Sequence, residues 1–564
     1  MATAASSDRD RDLASVQEAR TLARRARQAA PALAELTQEQ IDAIVDAAAA
    51  AATAEAEPLA RLAHEETGYG NVADKIKKNL FASDRVYRFI RPMKTVGIVA
   101  RHDDIGVIEI AEPFGVVAGI VPSTNPTSTA IYKILIALKA RCPIVLSPHP
   151  SAARCITRTA ELMEQAATRA GMPDGAISWM TTVTLEGTQE LMKAREVAVI
   201  LATGGMGLVR AAYSSGKPAY GVGPGNAPCF IERTADVAKA VEDIIAGKTF
   251  DYGVLCSSPN SVVMDAPIAD EAKRAFDARG GYFLSAAETE QLSRALVTPQ
   301  RLPNPKMVGK PATTVADLAG LKVPSGTRVL IAELAGVGRD YPLSIEKLCP
   351  VLSSYVVRDW REGCERSMQI LRYGGMGHTM SIHSNDERVI LEFGLKKPAF
   401  RISVNTPSTF GSIGLTTGLD PAMTLGCGGW GGNITSDNIS PKHLLNIKRL
   451  AWGTEARGST GSLGSLSSLG SVRRSGVAAH NISERIEAFL AGRGIRPSGT
   501  SASDAREVRE ATPAPAAAVP VDFVSEADVR DAMAAGRKIV IGPKTLVTPA
   551  ARDLADAHDV FANS

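Results

Sequence analysis

Cysteine is scarce in this chain: seven in 564 residues, with no CxxC pair anywhere. That excludes a disulfide framework and a zinc-ribbon type of metal site, predicts a reducing compartment, and leaves each thiol to be judged singly. Neither sign of charge dominates, with 63 Lys and Arg against 60 Asp and Glu and a formal net charge of +3. Without a basic stripe, nucleic acid is not an expected partner. No apolar run approaches the ~20 residues of a membrane span. Met1 to Asp12 is polar and has no signal-peptide core. These absences predict a soluble cytoplasmic protein with no membrane and no nucleic acid among its partners.

What is present is an alternation of periods. From Ser15 to Phe89 the composition is helical, and Thr37 with Gln40 forms a capping-box signature. Lys94 to Ala111 alternates around the polar Arg101-His-Asp-Asp104 and predicts a β-hairpin. Apolar runs then follow at Val116–Val121, Ile144–Ser147, Ala176–Met180 and Val197–Ala202. Amphipathic stretches at Thr127–Ala140, Ser151–Ala170 and Leu185–Ala194 separate them. Strand and helix in alternation predict an α/β fold with a parallel, Rossmann-type sheet and ligands at the carboxyl ends of its strands. The loops there are Pro122-Ser-Thr-Asn-Pro126, Ser147-Pro-His-Pro150 and Thr203-Gly-Gly-Met-Gly207, none of them a GxGxxG or Walker A string. Gly426–Gly431 has the letters of GxGxxG but neither follows an apolar strand nor opens a helix.

Cys256 lies in a loop-like string, Phe250-Asp-Tyr-Gly-Val-Leu-Cys-Ser-Ser-Pro259, ahead of the β-branched Ser261-Val-Val-Met264. Such a thiol is either an exposed nucleophile or a packed core residue. The other six cysteines lack a local base and read as packing. Tyr220-Gly-Val-Gly-Pro-Gly-Asn226 permits a close backbone approach to a ligand, or is simply a tight connection. Glu346 precedes a strand, and His378 follows a glycine run.

Taken in order, these strings resemble the aldehyde dehydrogenase superfamily and, within it, the coenzyme A-acylating branch. The resemblance rests on Glu112–Ala130, Ser147–Pro150, Thr203–Gly205, the Cys256 loop, Glu346–Leu348, Gly377–Thr379, Thr424–Asn433 and Pro441–Ile447, and spans roughly Ser15 to Trp452. It implies Cys256 as nucleophile, Asn125 as oxyanion donor beside the Cys256 backbone N–H, and His378 as a base for the coenzyme A thiol or as a structural hydrogen bonder. It implies NAD in a cradle formed by Pro122, Ser147, His149, Thr203, Gly204, Gly223, Glu346 and Leu348, and coenzyme A as co-substrate.

Two departures sharpen the expectation. Hydrolytic members carry a base glutamate in the string that here reads Gly221-Val-Gly-Pro-Gly225, so transfer to a thiol is expected in place of hydrolysis. Ser147 and His149 replace the Lys and Glu that commonly hold the adenosine ribose, which leaves NAD against NADP open. The alternatives are a hydrolytic semialdehyde dehydrogenase and a non-catalytic scaffold.

The implied layout is a cofactor domain at 1–228 with an oligomerisation hairpin near 94–112, a catalytic domain at 229–410, and a return to the cofactor domain at 411–452. A homodimer or homotetramer is expected. Gly458 to Ser471 holds ten Ser or Gly in fourteen residues, so 453–476 reads as a linker. An amphipathic helix at 477–495, with Ile482, Ile486, Phe489 and Leu490 on one face, then a linker at 496–520 and a tail module at 521–564, resemble the shell-docking tails of bacterial microcompartment enzymes. In the tail, Ser525 and Asp528 cap a helix, Ile539–Ile541 reads as a strand, Gly542-Pro543 as a turn, and Thr548-Pro549 opens a last helix. On size alone neither island is expected to fold unaided.

Overall fold

The computed structural model describes residues 2–453, 521–558 and 560–563, and the chain divides into two compact units, 1–462 and 463–564. The first opens with helices α1 (Ala2–Ala34), α2 (Gln38–Ala54), α3 (Ala56–Thr67) and α4 (Val72–Leu80). The Thr37–Gln40 capping box starts α2 as its sequence predicts. The hairpin pairs β1 (Gly97–His102) with β2 (Val107–Pro113). Far along the chain, β15 (Leu445–Ala451) adds to the other side of β2, leaving Ile98, Leu450 and the neighbouring Trp452 exposed.

The first sheet contains β3 (Val116–Val121), β4 (Ile144–Pro148), β5 (Ile177–Trp179), β6 (Val197–Thr203) and β7 (Ala219–Val222), all parallel in the order β5-β4-β3-β6-β7. The predicted strand boundaries match these to within a residue or two, because continuous β-branched runs buried on both faces are the signature of a parallel sheet. The chain reverses its direction of travel between β3 and β6, and at that switch point a crevice opens at the carboxyl ends. Buried Lys133, on the helix Pro126–Lys139, donates to the carbonyls of Ile120 and Leu201 at 2.5 and 2.8 Å and so ties the two strand ends together.

The second sheet has seven parallel strands: β8 (Ala227–Ile231), β9 (Pro259–Asp265), β10 (Gly281–Phe283), β11 (Val329–Glu333), β12 (Val351–Val357), β13 (Gly377–His383) and β14 (Ala399–Val404). Their order is β10-β11-β12-β9-β8-β13-β14. Phe230 of β8 stacks on Phe393 at 4.9 Å in its core. Only residues 223–226 separate β7 from β8, so the exit of the first sheet feeds the entrance of the second.

In the second unit, β16 (Val521–Val524), β17 (Ile539–Val547) and β18 (Phe561–Asn563) form a parallel sheet with helices Glu526–Ala534 and Pro549–His558. The Ser525–Asp528 capping box is present. Val524, Val529, Ala532, Ile539, Ala551, Ala555 and Val560 make a core of its own, more than the size argument predicts. Gly542-Pro543 is not a turn. It lies within β17, where the register against β16 slips and the Gly542 N–H donates to Thr545 Oγ1 at 2.9 Å. A proline that cannot donate to a ladder is tolerated at such an irregularity. The amphipathic Ile482–Leu490 segment lies outside the described residues.

Candidate active site

A cavity of about 480 Å³ fills the crevice at the switch point. Its walls include Pro122 and Asn125 after β3, Ser147 within the end of β4 and His149 just after it, Thr203 ending β6 and Gly204 after it, Gly223 after β7, and Cys256, Glu346 and Leu348. The residues predicted to hold a cofactor, the nucleophile and the amide donor are therefore brought together. The first sheet supplies its carboxyl ends. The second supplies the segments that enter its strands, with Cys256 three residues ahead of β9.

Of the seven cysteines only Cys256 is partly exposed, and it opens on this cavity. Burial, aided by the neighbouring Glu346 carboxylate and the Cys427 sulfur, pushes its thiol up to about 12. At rest it is a thiol, in contrast to the thiolate the chemistry requires. Glu346 accepts from the Gly225 N–H at 2.8 Å. Burial raises its carboxyl to about 7, against the opposing pull of that N–H, Lys248 and Lys347. Asn125 begins the helix Pro126–Lys139 without capping it, which leaves its side chain for other partners. Its Nδ2 donates to Thr124 Oγ1 at 3.2 Å.

The cradle suits a dinucleotide. Thr203 Oγ1 is buried with no protein partner. Gly205 starts the helix Met206–Tyr213 with no side-chain cap, and a β-carbon there would meet nothing within 4 Å. Free backbone N–H groups at a helix start, beside an orphaned hydroxyl, fit a pyrophosphate. Ser147 Oγ is already engaged with Thr188 at 2.8 Å, and His149 stands exposed at the rim with its ring on the Ser151 N–H.

His378 is placed differently. It is 1% exposed within β13, its Nδ1 lies 3.0 Å from Thr379 Oγ1, and it lines neither this cavity nor its neighbour. Burial and then the Arg401 charge depress it to about 3, a poor match for deprotonating a thiol near pH 7. Its ring packs beneath Gly225: a β-carbon on Gly225 would come 2.2 Å from the Cys256 carbonyl oxygen and 2.8 Å from His378 Nδ1. At Gly225 the close approach is to the Cys256 loop and not to a ligand, as the tight-connection reading has it.

Within the string Gly221–Gly225, where hydrolytic members are expected to carry a base glutamate, Gly221 has no room for a side chain. A β-carbon would lie 2.7 Å from the Tyr213 hydroxyl, which donates to the Gly221 carbonyl at 3.0 Å. Beyond Gly223, Pro224 and Glu346 lies a second cavity of about 580 Å³, lined by Arg210, Arg301, Arg372, Cys427 and Trp430 among others. Its arginines are scattered over more than 160 positions of sequence and form no motif. Lys78 and Asp251, described below, were missed for the same reason. Among the described residues no cluster of His, Cys, Asp and Glu could hold a metal ion.

Two parallel sheets sharing one crevice, with a lone accessible thiol opposite an amide, define a dehydrogenase-type α/β architecture built around a cysteine. Comparison narrows it. Residues 10–280 match the model of the aldehyde dehydrogenase family. The chain is 43% identical over 441 residues to the bifunctional aldehyde-alcohol dehydrogenase AdhE of Escherichia coli strain K12, covering 77% of this chain and 49% of AdhE. It thus spans about half the length of the curated relatives it matches first. The crystal structure of an acetylating aldehyde dehydrogenase from Geobacillus thermoglucosidasius is 51% identical with a TM-score of 0.77, covering 78% of this chain and 98% of that one. A propionaldehyde dehydrogenase from the Clostridium phytofermentans fucose utilisation bacterial microcompartment is 29% identical with a TM-score of 0.69, over 76% and 96%. The chain belongs to the aldehyde dehydrogenase family, in its acylating branch.

Two outcomes test the geometry. Gly225→Ala displaces the Cys256 loop, and a shift of about 1 Å at a reacting atom lowers turnover about 100-fold; steady-state assay with NAD binding measured in parallel checks it, and near-normal turnover would contradict the packing. Because the raised thiol is protonated throughout the neutral range, alkylation of Cys256 by iodoacetamide in the resting protein should climb about tenfold per pH unit through pH 9. A plateau near the ordinary thiol value of about 8.5 would contradict it.

Proposed function

We propose that this protein is an NAD-dependent aldehyde dehydrogenase that transfers the acyl group of a short aliphatic aldehyde, propionaldehyde or acetaldehyde, to coenzyme A. The observation that carries the reading is that the Gly221–Gly225 string brings no carboxylate and that, among the described residues, Glu346 is the only carboxylate lining the cavity, where it accepts from the Gly225 N–H. Water would need an activating base at the acyl carbon. A thiol is intrinsically a far stronger nucleophile toward a thioester and needs less activation.

Cys256 sulfur adds to the aldehyde carbon as its proton passes to solvent water. The oxygen takes up negative charge beside Asn125 Nδ2 and the Cys256 N–H, and loss of one such donor lowers a rate roughly 10²–10³-fold. Bound nicotinamide supplies a hydride acceptor. The carbon loses hydride and becomes a thioester on Cys256, which the coenzyme A thiolate attacks, expelling the Cys256 sulfur and releasing acyl-CoA. Pro122, Ser147, His149, Thr203, Gly204, Gly223 and Leu348 form the walls against which the dinucleotide is held, with Glu346 toward the nicotinamide ribose. His378 supports the Cys256 loop from below through Gly225. The acetylating and propionaldehyde activities in the names of the similar structures support the acyl-transfer reading and the short aldehyde.

The tail supports housing in a bacterial microcompartment, with shell proteins as partners, as the similar propionaldehyde dehydrogenase is housed. The exposed Ile98, Leu450 and Trp452 of the hairpin sheet support a homo-oligomer. Purified protein given aldehyde and NAD should form NADH in proportion to added coenzyme A and stop after about one turnover without it. Equal sustained NADH formation without the thiol would establish hydrolysis instead, and undiminished activity in Cys256→Ala would remove the nucleophile assignment. Fused separately to a fluorescent protein, residues 477–495 or 521–564 should co-purify with shells; recruitment by neither would defeat encapsulation.

A further inference from the structure

Behind the wall that carries Asn125 lies a buried charge network that the chemistry above does not use. Asp251, five residues before Cys256, is 0% exposed, and Lys75 and Lys78 of α4 are 2% and 4% exposed. The Asp251 carboxylate receives the Lys78 ammonium, the Lys75 ammonium at 3.2 Å and the Asn71 N–H at 2.8 Å. Its own backbone N–H donates to Asp74 at 2.8 Å. Asp251 and Tyr252 both sit in the left-handed region, at φ 46° and 53°, where side-chain-bearing residues persist only when surroundings over-determine them. Two ammonium groups and two backbone contacts converging on one residue supply that determination.

Lys78 does a second thing: its Nζ lies 2.7 Å from Asn125 Oδ1. An ammonium has three donors and no acceptor, so only the oxygen end of the Asn125 amide can face it. The NH₂ end is thereby turned the other way, to Thr124 Oγ1 and the cavity, with one of its two hydrogens left for a ligand. A charged partner on the oxygen also polarises the amide and strengthens its N–H donors. The Asp74 carboxylate, which accepts from the Asp251 N–H, completes the network, and the Lys78 ammonium is its member that faces the amide oxygen.

We propose that Lys78, anchored by Asp251, is a positioning residue for the oxyanion site: it fixes the Asn125 amide with its NH₂ toward the cavity and ties that donor to the loop bearing Cys256. The inference rests on Asn125 being the oxyanion donor. It adds a linkage running from α4 to both halves of the reacting centre, through residues that touch neither cofactor nor substrate.

A double-mutant cycle on the full-length protein, assayed with propionaldehyde, NAD and coenzyme A, tests it. Asn125→Ala should lower kcat roughly 10²–10³-fold. Lys78→Met should lower kcat roughly tenfold or more, with the KM for NAD unchanged. The double variant should be no slower than Asn125→Ala alone, because Lys78 acts through the amide already removed. A Lys78→Met protein with normal kcat overturns the inference, as does a double variant slowed by the full product of the two factors, which marks Lys78 as a structural residue only. Should Lys78→Met not fold, Lys78→Gln, which keeps a neutral donor, is read in the same cycle against the same two outcomes. A silent Asn125→Ala removes the oxyanion assignment itself and the inference with it, a result distinct from multiplicative losses.

Discussion

The structure turns on a hydrogen atom. At Gly225 the chain passing from the first sheet to the second lies so close to the Cys256 carbonyl and the His378 ring that no β-carbon fits. The same residue gives its N–H to Glu346 and accepts at its carbonyl from Asn260 Nδ2 at 3.2 Å. Four segments distant in sequence thus meet on one backbone unit: the β7–β8 connection, the nucleophile loop, the Glu346 loop and the start of β13. Backbone contacts cannot slide or change rotamer as side chains do. The separation between the nucleophile and the cradle at the ends of the first sheet is fixed by covalent geometry as much as by packing.

What could be read from the sequence follows from what is local. The strands of the first sheet announce themselves because a sheet covered on both faces needs uninterrupted apolar runs, and the cavity loops then follow from the rule for open parallel sheets. The capping signatures at Thr37 and Ser525 are contacts three residues long. Gly542-Pro543 misled because a turn and a bulged strand use the same residues, and only the neighbouring strand decides between them. His378 could be named but not placed, since burial is a property of the assembled sheet. Lys78 lies 173 positions from Asp251 and 47 from Asn125, and no periodicity encodes such a meeting.

The second unit shows how little apolar surface suffices once local signals agree. Seven buried residues, a capping box and a proline at the start of the last helix all favour one βαβαβ path. Parallel strands must be joined by crossovers, and each helix here serves as one while covering the same face of the sheet.

Charge explains the remainder of the site. The Cys256 thiol is held neutral by burial and by the acidic neighbour Glu346, while the Asn125 amide has the Lys78 ammonium behind it. In the proposed addition, loss of the thiol proton would leave the negative charge on the oxygen beside that amide and not on the buried sulfur. A thiol that ionises only as it adds is protected from adventitious oxidants, which consume thiolates.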